Sequence, residues 1–162
     1  MEQKTKINAE DGKQDLVITR EFDLPLELLF KAHAEAEIVE QVMGTKVLKF
    51  ESKRHGGYQF ETKDPKGNVV FKANGVIHEF LPDRKITRTF EMENAPFGVQ
   101  LEVYEFEKLT EDTSKLHVHV IYESAALRDQ VLKLPFAQGL NMAHNRIQEI
   151  QSKKLAFYEQ KK

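Results

Sequence analysis

The sequence predicts an α+β fold in which a curved antiparallel sheet of about six to seven strands is closed by one long C-terminal helix. Three observations predict it. From about residue 47 to residue 122, nearly every apolar run alternates with period two, as half-buried strands do. Phe136, Leu140, Ala143, Ile147, Ile150, Leu155 and Tyr158 then recur at helical spacing. Between a first short strand and the long alternating stretch, Pro25 opens two short helical pieces.

The elements follow in order. Residues 1–13 are polar, with Gly12 and no periodic apolar residue, and read as a flexible leader; residues 14–162 read as a single domain. Leu16, Ile18 and Phe22 mark the first strand, its apolar face interrupted by Arg20. Pro25 suits the start of a helix, where its missing N–H costs nothing, and Leu26, Leu29, Phe30 and His33 give that helix an apolar face. A second short helix carries Ile38 and Val42 and stops at Gly44, a good residue for a left-handed helix end. Gly56-Gly57 opens the strand of Tyr58 and Phe60. Asp64-Pro65-Lys66-Gly67-Asn68 is a turn, as are Leu81-Pro82-Asp83-Arg84 and Thr110-Glu111-Asp112-Thr113, and Asn94-Ala95-Pro96-Phe97-Gly98 is a loop. They separate strands over 69–80, 86–92, 99–109 and 116–122, so successive hairpins imply a meander.

Composition narrows the function. The 24 Lys and Arg nearly balance 26 Asp and Glu, and the formal charge of −2 shows none of the basic excess of a nucleic-acid reader. Lys153-Lys154 and Lys161-Lys162 read as a solvated helix end. With no cysteine, disulfides, thiolate metal sites and a cysteine nucleophile are excluded. Apolar runs fall far short of the ~20 residues that span a bilayer, so no membrane insertion is expected. The N-terminus lacks the charged-then-apolar form of a secretory signal, so a cytoplasmic protein is expected.

Residues 24–44, LPLELLFKAHAEAEIVEQVMG, place Pro25, Glu27, Phe30, Ala32, Glu37 and Gly44 in one register. With Gly56-Gly57-Tyr58, Gly75-Val76, Glu79, Pro82, Gly139 and Ile147, they make the chain resemble a known family over residues 16–151. That family is the activator of heat-shock-protein-90 ATPase-like (AHSA-type) branch of the SRPBCC/START (Bet v 1-like) superfamily. The resemblance implies a helix-grip fold, in which a long helix lies across an antiparallel sheet with a cavity between them. It implies a small hydrophobic or amphipathic ligand, with two alternatives: a polyketide cyclase/dehydratase-like enzyme using the same cavity, or a chaperone-interaction module. The eukaryotic co-chaperones carry a further N-terminal domain that this chain does not show, which puts full activator function in doubt. The chain also departs from the family in having no Trp: His33, Val42, Met43 and Leu140 stand at its aromatic positions, and His144 at a commonly apolar one. The implied pocket is therefore differently shaped and more polar.

Alternation sorts the strand faces. It turns Tyr58, Phe60 and Thr62 to one side, together with Phe71, Ala73, Gly75 and Ile77, Leu101 and Val103, and Leu116, Val118, Val120 and Tyr122. Phe136, Leu140, Ala143 and Ile147 cover that side, and these residues form either plain core or cavity wall. The same alternation puts Glu79, Arg88 and Glu105 inward, with Arg88 between Ile86 and Phe90. Arg88 would lie diagonally between the two carboxylates, where it either orients a polar ligand group or forms a salt bridge at the sheet rim. His144 shares the helix face of Leu140 and Ile147, as an acid, base or hydrogen-bonding group in the cavity or as a histidine at the core edge. The candidate lining is thus Tyr58, Phe60, Phe71, Ile77, Arg88, Phe90, Leu101, Glu105, Val118, Phe136, Leu140 and His144, with Tyr58 or Glu79 assisting His144 in the enzyme alternative.

His117 and His119 share one strand face but alternate against Leu116, Val118 and Val120, so they point to water, and no third metal ligand is marked nearby. His33, His55 and His78 have no ligand spacing, and Gly56-Gly57 lacks the Lys-Ser/Thr and helix start of a phosphate loop. Neither a metal nor a cofactor is expected. The state is expected to be a monomer or homodimer.

Overall fold

A computed structural model describes residues 4–160, with side chains through Phe157. The Tyr158 side chain, the Lys161-Lys162 pair and the first three residues of the expected leader lie outside the described residues. Among the described residues one sheet holds eight strands, more than the alternation counts. They are β1 (Lys6–Asn8), β2 (Asp15–Phe22), β3 (Lys46–Phe50), β4 (Gly57–Lys63), β5 (Val69–Leu81), β6 (Lys85–Met92), β7 (Val99–Lys108) and β8 (Ser114–Ile121). The helices are α1 (Leu26–Ala34), α2 (Ala36–Met43), α3 (Ala125–Leu132) and α4 (Phe136–Gln160). The spatial order is β1-β2-β8-β7-β6-β5-β4-β3, every pair antiparallel. The run from β3 to β8 is the expected meander, and α1 and α2 carry the chain between the β2 and β3 ends of the sheet.

The extra strand comes from the stretch read as a leader. Lys6–Asn8 pairs with β2, setting Ile7 opposite Ile18. Thr5, Ile7 and Ala9 are half-buried while their neighbours are exposed, an alternation too short and too weakly apolar to stand out in the sequence. The helix α3 is also absent from the hydrophobic reading. Ser124 caps it by accepting from the Leu127 N–H at 3.1 Å. Its buried Arg128 donates to the carbonyls of Glu10 and Asp15 at 2.7 and 3.0 Å, which holds the chain entering β2.

Other local expectations agree. Gly44 closes α2 at φ 64°. The Asp64 carboxylate accepts from the Lys66 and Asn68 N–H groups, both at 2.9 Å, to form the turn. The core under α1 and α4 is built from Leu16, Ile18, Phe22, Leu29, Phe30, Ile38, Phe60, Leu116, Val118 and Ile147, with edge-on contacts of Phe30 to Phe80 and Phe106.

Two strands depart from simple alternation. In β5 the ladder matches Ile77 with Arg88 and then Glu79 with Thr87, so His78 is an extra residue and the phase reverses. Phe80 turns inward after the bulge, and Glu79 turns outward to Lys85 at 2.9 Å. In β7 the inward set is Gln100, Glu102, Tyr104 and Phe106; Leu101, 37 % exposed, and Glu105 face out. Both β7 faces carry apolar residues, so alternation alone cannot choose between them. The larger Tyr104 and Phe106 rings and a partner for Glu102 decide it.

α4 is held differently along its length. Its middle is tied down by Gln148, which exchanges hydrogen bonds with the Asp23 backbone at 2.9 and 3.2 Å, by Gln151 donating to Leu28 O at 2.7 Å, and by Arg146 donating to Val42 O at 3.0 Å. Its first half is bound through Thr5: the Thr5 N–H donates to Asn141 Oδ1 at 3.2 Å, and its hydroxyl meets His144 Nδ1 at 2.6 Å. Buried Arg20 also reaches Asn141 Oδ1, at 3.2 Å.

Gly75 is required where it stands. The Tyr58 ring on β4 lies across β5 at Gly75, and its hydroxyl donates to the Thr89 carbonyl on β6. A Cβ on Gly75 would fall 2.1 Å from Thr89 O and 2.4 Å from the Tyr58 hydroxyl. Gly75→Ala should lower unfolding free energy by about 1–3 kcal/mol in denaturant titration, because the ring must leave its site. An unchanged midpoint would show that Tyr58 does not need this gap.

Candidate functional site

A cavity of about 130 Å³ lies between the sheet and the first half of α4. α4 supplies Phe136, Leu140, Ala143, His144 and Ile147; α1 and α2 supply Ala32, His33, Val39, Val42 and Met43. The sheet supplies Ile18, Phe60, Ile86, Arg88, Gln100, Glu102, Tyr104, Val118 and Val120. Six expected lining residues are thus brought together: Phe60, Arg88, Val118, Phe136, Leu140 and His144.

The other six lie elsewhere. Tyr58 is buried behind Arg88, its ring 4.8 Å from the guanidinium carbon. Ile77 is core, and Phe71 and Phe90 pack partly buried against that core outside the cavity wall. Leu101 and Glu105 are on the opposite face of the sheet because β7 presents its other set of side chains. Glu79, considered as Arg88's partner, is turned out by the His78 bulge.

The partner of Arg88 is Glu102, directly opposite it across β6 and β7. Arg88 Nε donates to Glu102 Oε1 at 2.9 Å, and Nη2 donates to the Tyr104 hydroxyl at 2.9 Å. The Tyr104 hydroxyl donates to Glu102 Oε1 at 3.1 Å, and Gln100 Nε2 donates to Oε2 at 2.7 Å. The guanidinium is also sandwiched between the Tyr58 and Tyr104 rings, 4.8 and 4.9 Å from their centroids. Burial works against its charge, and Tyr104, Tyr58 and Glu102 outweigh burial, so Arg88 stays charged. Burial also pushes both tyrosine hydroxyls above their ordinary range, so they remain neutral donors.

Two neutral imidazoles line the same cavity. His33 Nδ1 donates to Leu29 O at 3.0 Å, one helical turn back, which fixes the proton on Nδ1. Burial pulls its pKa down to about 4, against the Leu29 hydrogen bond and with help from Arg88. Burial, then His33 and Arg20, pull His144 down to about 3. The His144 ring also stands edge-on to Phe22, centroids 5.7 Å apart.

Glu102, Tyr104 and Gln100 had no place in the sequence reading of the site, because it followed the other face of β7. His33 stands out in the sequence only as a departure from the family's aromatic positions, with no site role attached to it. Polar residues at inward positions of adjacent strands, Arg88 and Glu102, were the available signal. His117 and His119 face outward as expected, meeting Glu107 at 3.0 Å and Asp15 at 2.7 Å. Among the described residues, no group of three or more His, Asp or Glu side chains could hold a metal ion. No described helix is long and apolar enough to cross a membrane.

A curved antiparallel sheet gripping a long helix over a lined cavity defines the helix-grip class. The family model for activator of Hsp90 ATPase homolog 1-like proteins matches residues 23–151, and the chain belongs to that family. No curated protein matches it. Among solved structures, the crystal structure of protein Ms6760 from Mycobacterium smegmatis is similar at 20 % identity and TM-score 0.79, covering 90 % of this chain and 95 % of that one. A protein from Rhodobacter sphaeroides matches at 17 % identity and TM-score 0.79, covering 91 % and 99 %. The solution structure of a protein from Arthrobacter aurescens matches at 14 % identity and TM-score 0.80, covering 91 % of each chain. At these identities the likeness is one of fold.

Two outcomes follow from the site's electrostatics. Arg88→Leu should cost about 3–5 kcal/mol in chemical unfolding, since it leaves Glu102 buried without its cation, and Arg88→Leu with Glu102→Leu should recover much of that loss. Equal losses in the single and double variants would contradict the coupling. The second outcome concerns acid. Unfolded histidine binds a proton near 6.5, whereas His33 and His144 in the fold do so only at about 4 and about 3. Below 6.5 the unfolded chain therefore holds more protons, so stability falls as pH drops from 6.5 toward 4, and is not lost by raising the pH. His33→Phe should remove about half of the slope just below pH 6.5 and leave the share of His144, as measured by urea midpoints. An unaltered slope would show that His33 titrates normally.

Proposed function

We propose that this protein binds a small, mostly apolar molecule in the cavity between its sheet and α4. One observation carries the reading: the chamber is walled by apolar side chains, while the charges at its floor are already paired with each other. An apolar guest therefore strips water from little that is polar. The size is informative. Drug-sized ligands occupy about 300–1,000 Å³, whereas an apolar void of about 150 Å³ holds benzene. This chamber accepts one ring with a small substituent unless the first half of α4 moves, and such a guest binds with a Kd on the order of 10⁻⁴ M.

Binding is favoured over the cyclase/dehydratase alternative by the histidines. A general acid or base works best with a pKa near the operating pH, and imidazoles at about 4 and about 3 are poised for neither role near neutrality. The interaction-module alternative would use the outer surface, where no observation singles out a partner.

Leu140→Trp tests the proposal by filling the chamber from its roof. The variant should keep or raise its Tm, while the Tm shift that toluene produces in the parent protein disappears. A parent protein that shows no shift with any ring-sized apolar compound, and carries none after organic extraction of the purified protein, would refute it.

A further inference from the structure

The floor of the cavity is balanced in charge but not in hydrogen bonding. Arg88 uses Nε on Glu102 and Nη2 on Tyr104, and Nη1 makes no hydrogen bond among the described residues and is not sealed from access. His33 spends its one proton on Leu29 O, so Nε2 carries a bare lone pair, also unsealed and without a partner among the described residues. Both side chains line the cavity and flank the same ring: His33 is 5.6 Å from the Tyr104 centroid, and the Arg88 guanidinium carbon is 4.9 Å from it. One free donor and one free acceptor thus line the same cavity beside Tyr104.

We propose that this pair selects a neutral hydroxyl-bearing ring compound, whose oxygen accepts from Arg88 Nη1 and whose proton goes to His33 Nε2. A hydroxyl is the smallest neutral group that satisfies both. An anionic head would add a second negative charge beside Glu102, whose carboxylate already neutralises Arg88, and would offer His33 no proton. A cationic head would meet the guanidinium. The volume of about 130 Å³ limits the remainder to about one ring. This inference rests on the proposed binding of apolar molecules in the cavity and adds the head group that is read there.

Phenol, toluene, anisole and benzoate separate the possibilities, because phenol and toluene match in size while anisole accepts without donating. A purely apolar chamber favours toluene, since burying an unpartnered hydroxyl is costly. Dissociation constants from NMR titration of the full chain should instead rank phenol about tenfold tighter than toluene, with anisole near toluene and benzoate weakest. His33→Phe leaves the Arg88–Glu102 pair in place and should bring the phenol-to-toluene ratio to about unity. Arg88→Leu with Glu102→Leu should do the same without stranding a charge. Toluene binding as tightly as phenol, a ratio unmoved by His33→Phe, or benzoate binding best would overturn the proposed head group while leaving the apolar chamber standing. Failure of all four to bind would overturn both.

Discussion

The buried pair of Arg88 and Glu102 is the constraint on which the arrangement of the sheet depends. A guanidinium placed inward on β6 needs an acceptor, and the residue directly across the ladder supplies it at 2.9 Å. Once Glu102 is inward, the strand period forces Gln100, Tyr104 and Phe106 inward with it and turns Leu101 and Glu105 out. The pair is then completed rather than merely neutralised: Gln100 and Tyr104 take up the remaining carboxylate positions, and two tyrosine rings cover the faces of the guanidinium. Tyr58 can reach its place only because β5 has no side chain at Gly75. Four strands are thereby specified by one charge.

That completed pair also makes the cavity usable. A single buried charge would hold water and bar apolar guests, whereas this floor offers little net charge and few unspent hydrogen bonds. The roof has a different character. α4 is fixed at its middle through Gln148, Gln151 and Arg146, while the part over the cavity is tied chiefly through Thr5, just before β1. A rigid floor under a roof held from one end and one strap suits the proposed entry of a guest.

Much of this was legible in residue order. Period-two runs gave the meander, Pro25 and Gly44 bounded the helices before β3, and helical spacing from Phe136 gave the long closing helix. The inward placement of Arg88 and His144 also followed from spacing. What could not be read was whatever depends on counting across strands. The extra residue at His78 changes the phase of Glu79, and no local signal marks it. In β7, Val99, Leu101 and Val103 on one face compete with Tyr104 and Phe106 on the other, so the choice belongs to tertiary packing. β1 is too short to show a period, and α3 is defined by its cap and Arg128 more than by an apolar stripe. His33 could be marked only as a departure from the family's aromatic positions, because the cavity it faces exists only in the assembled fold.

The central claim is that an apolar chamber lies above a charge-balanced polar floor. Xenon tests it most directly, being apolar, spherical and free of any head-group preference. A crystal of the protein under xenon pressure should show one ordered xenon between Phe60, Val118, Leu140 and Ala143, with Arg88 and Glu102 unmoved. A chamber collapsed onto α4, or one filled throughout by ordered water that xenon does not displace, would contradict the account.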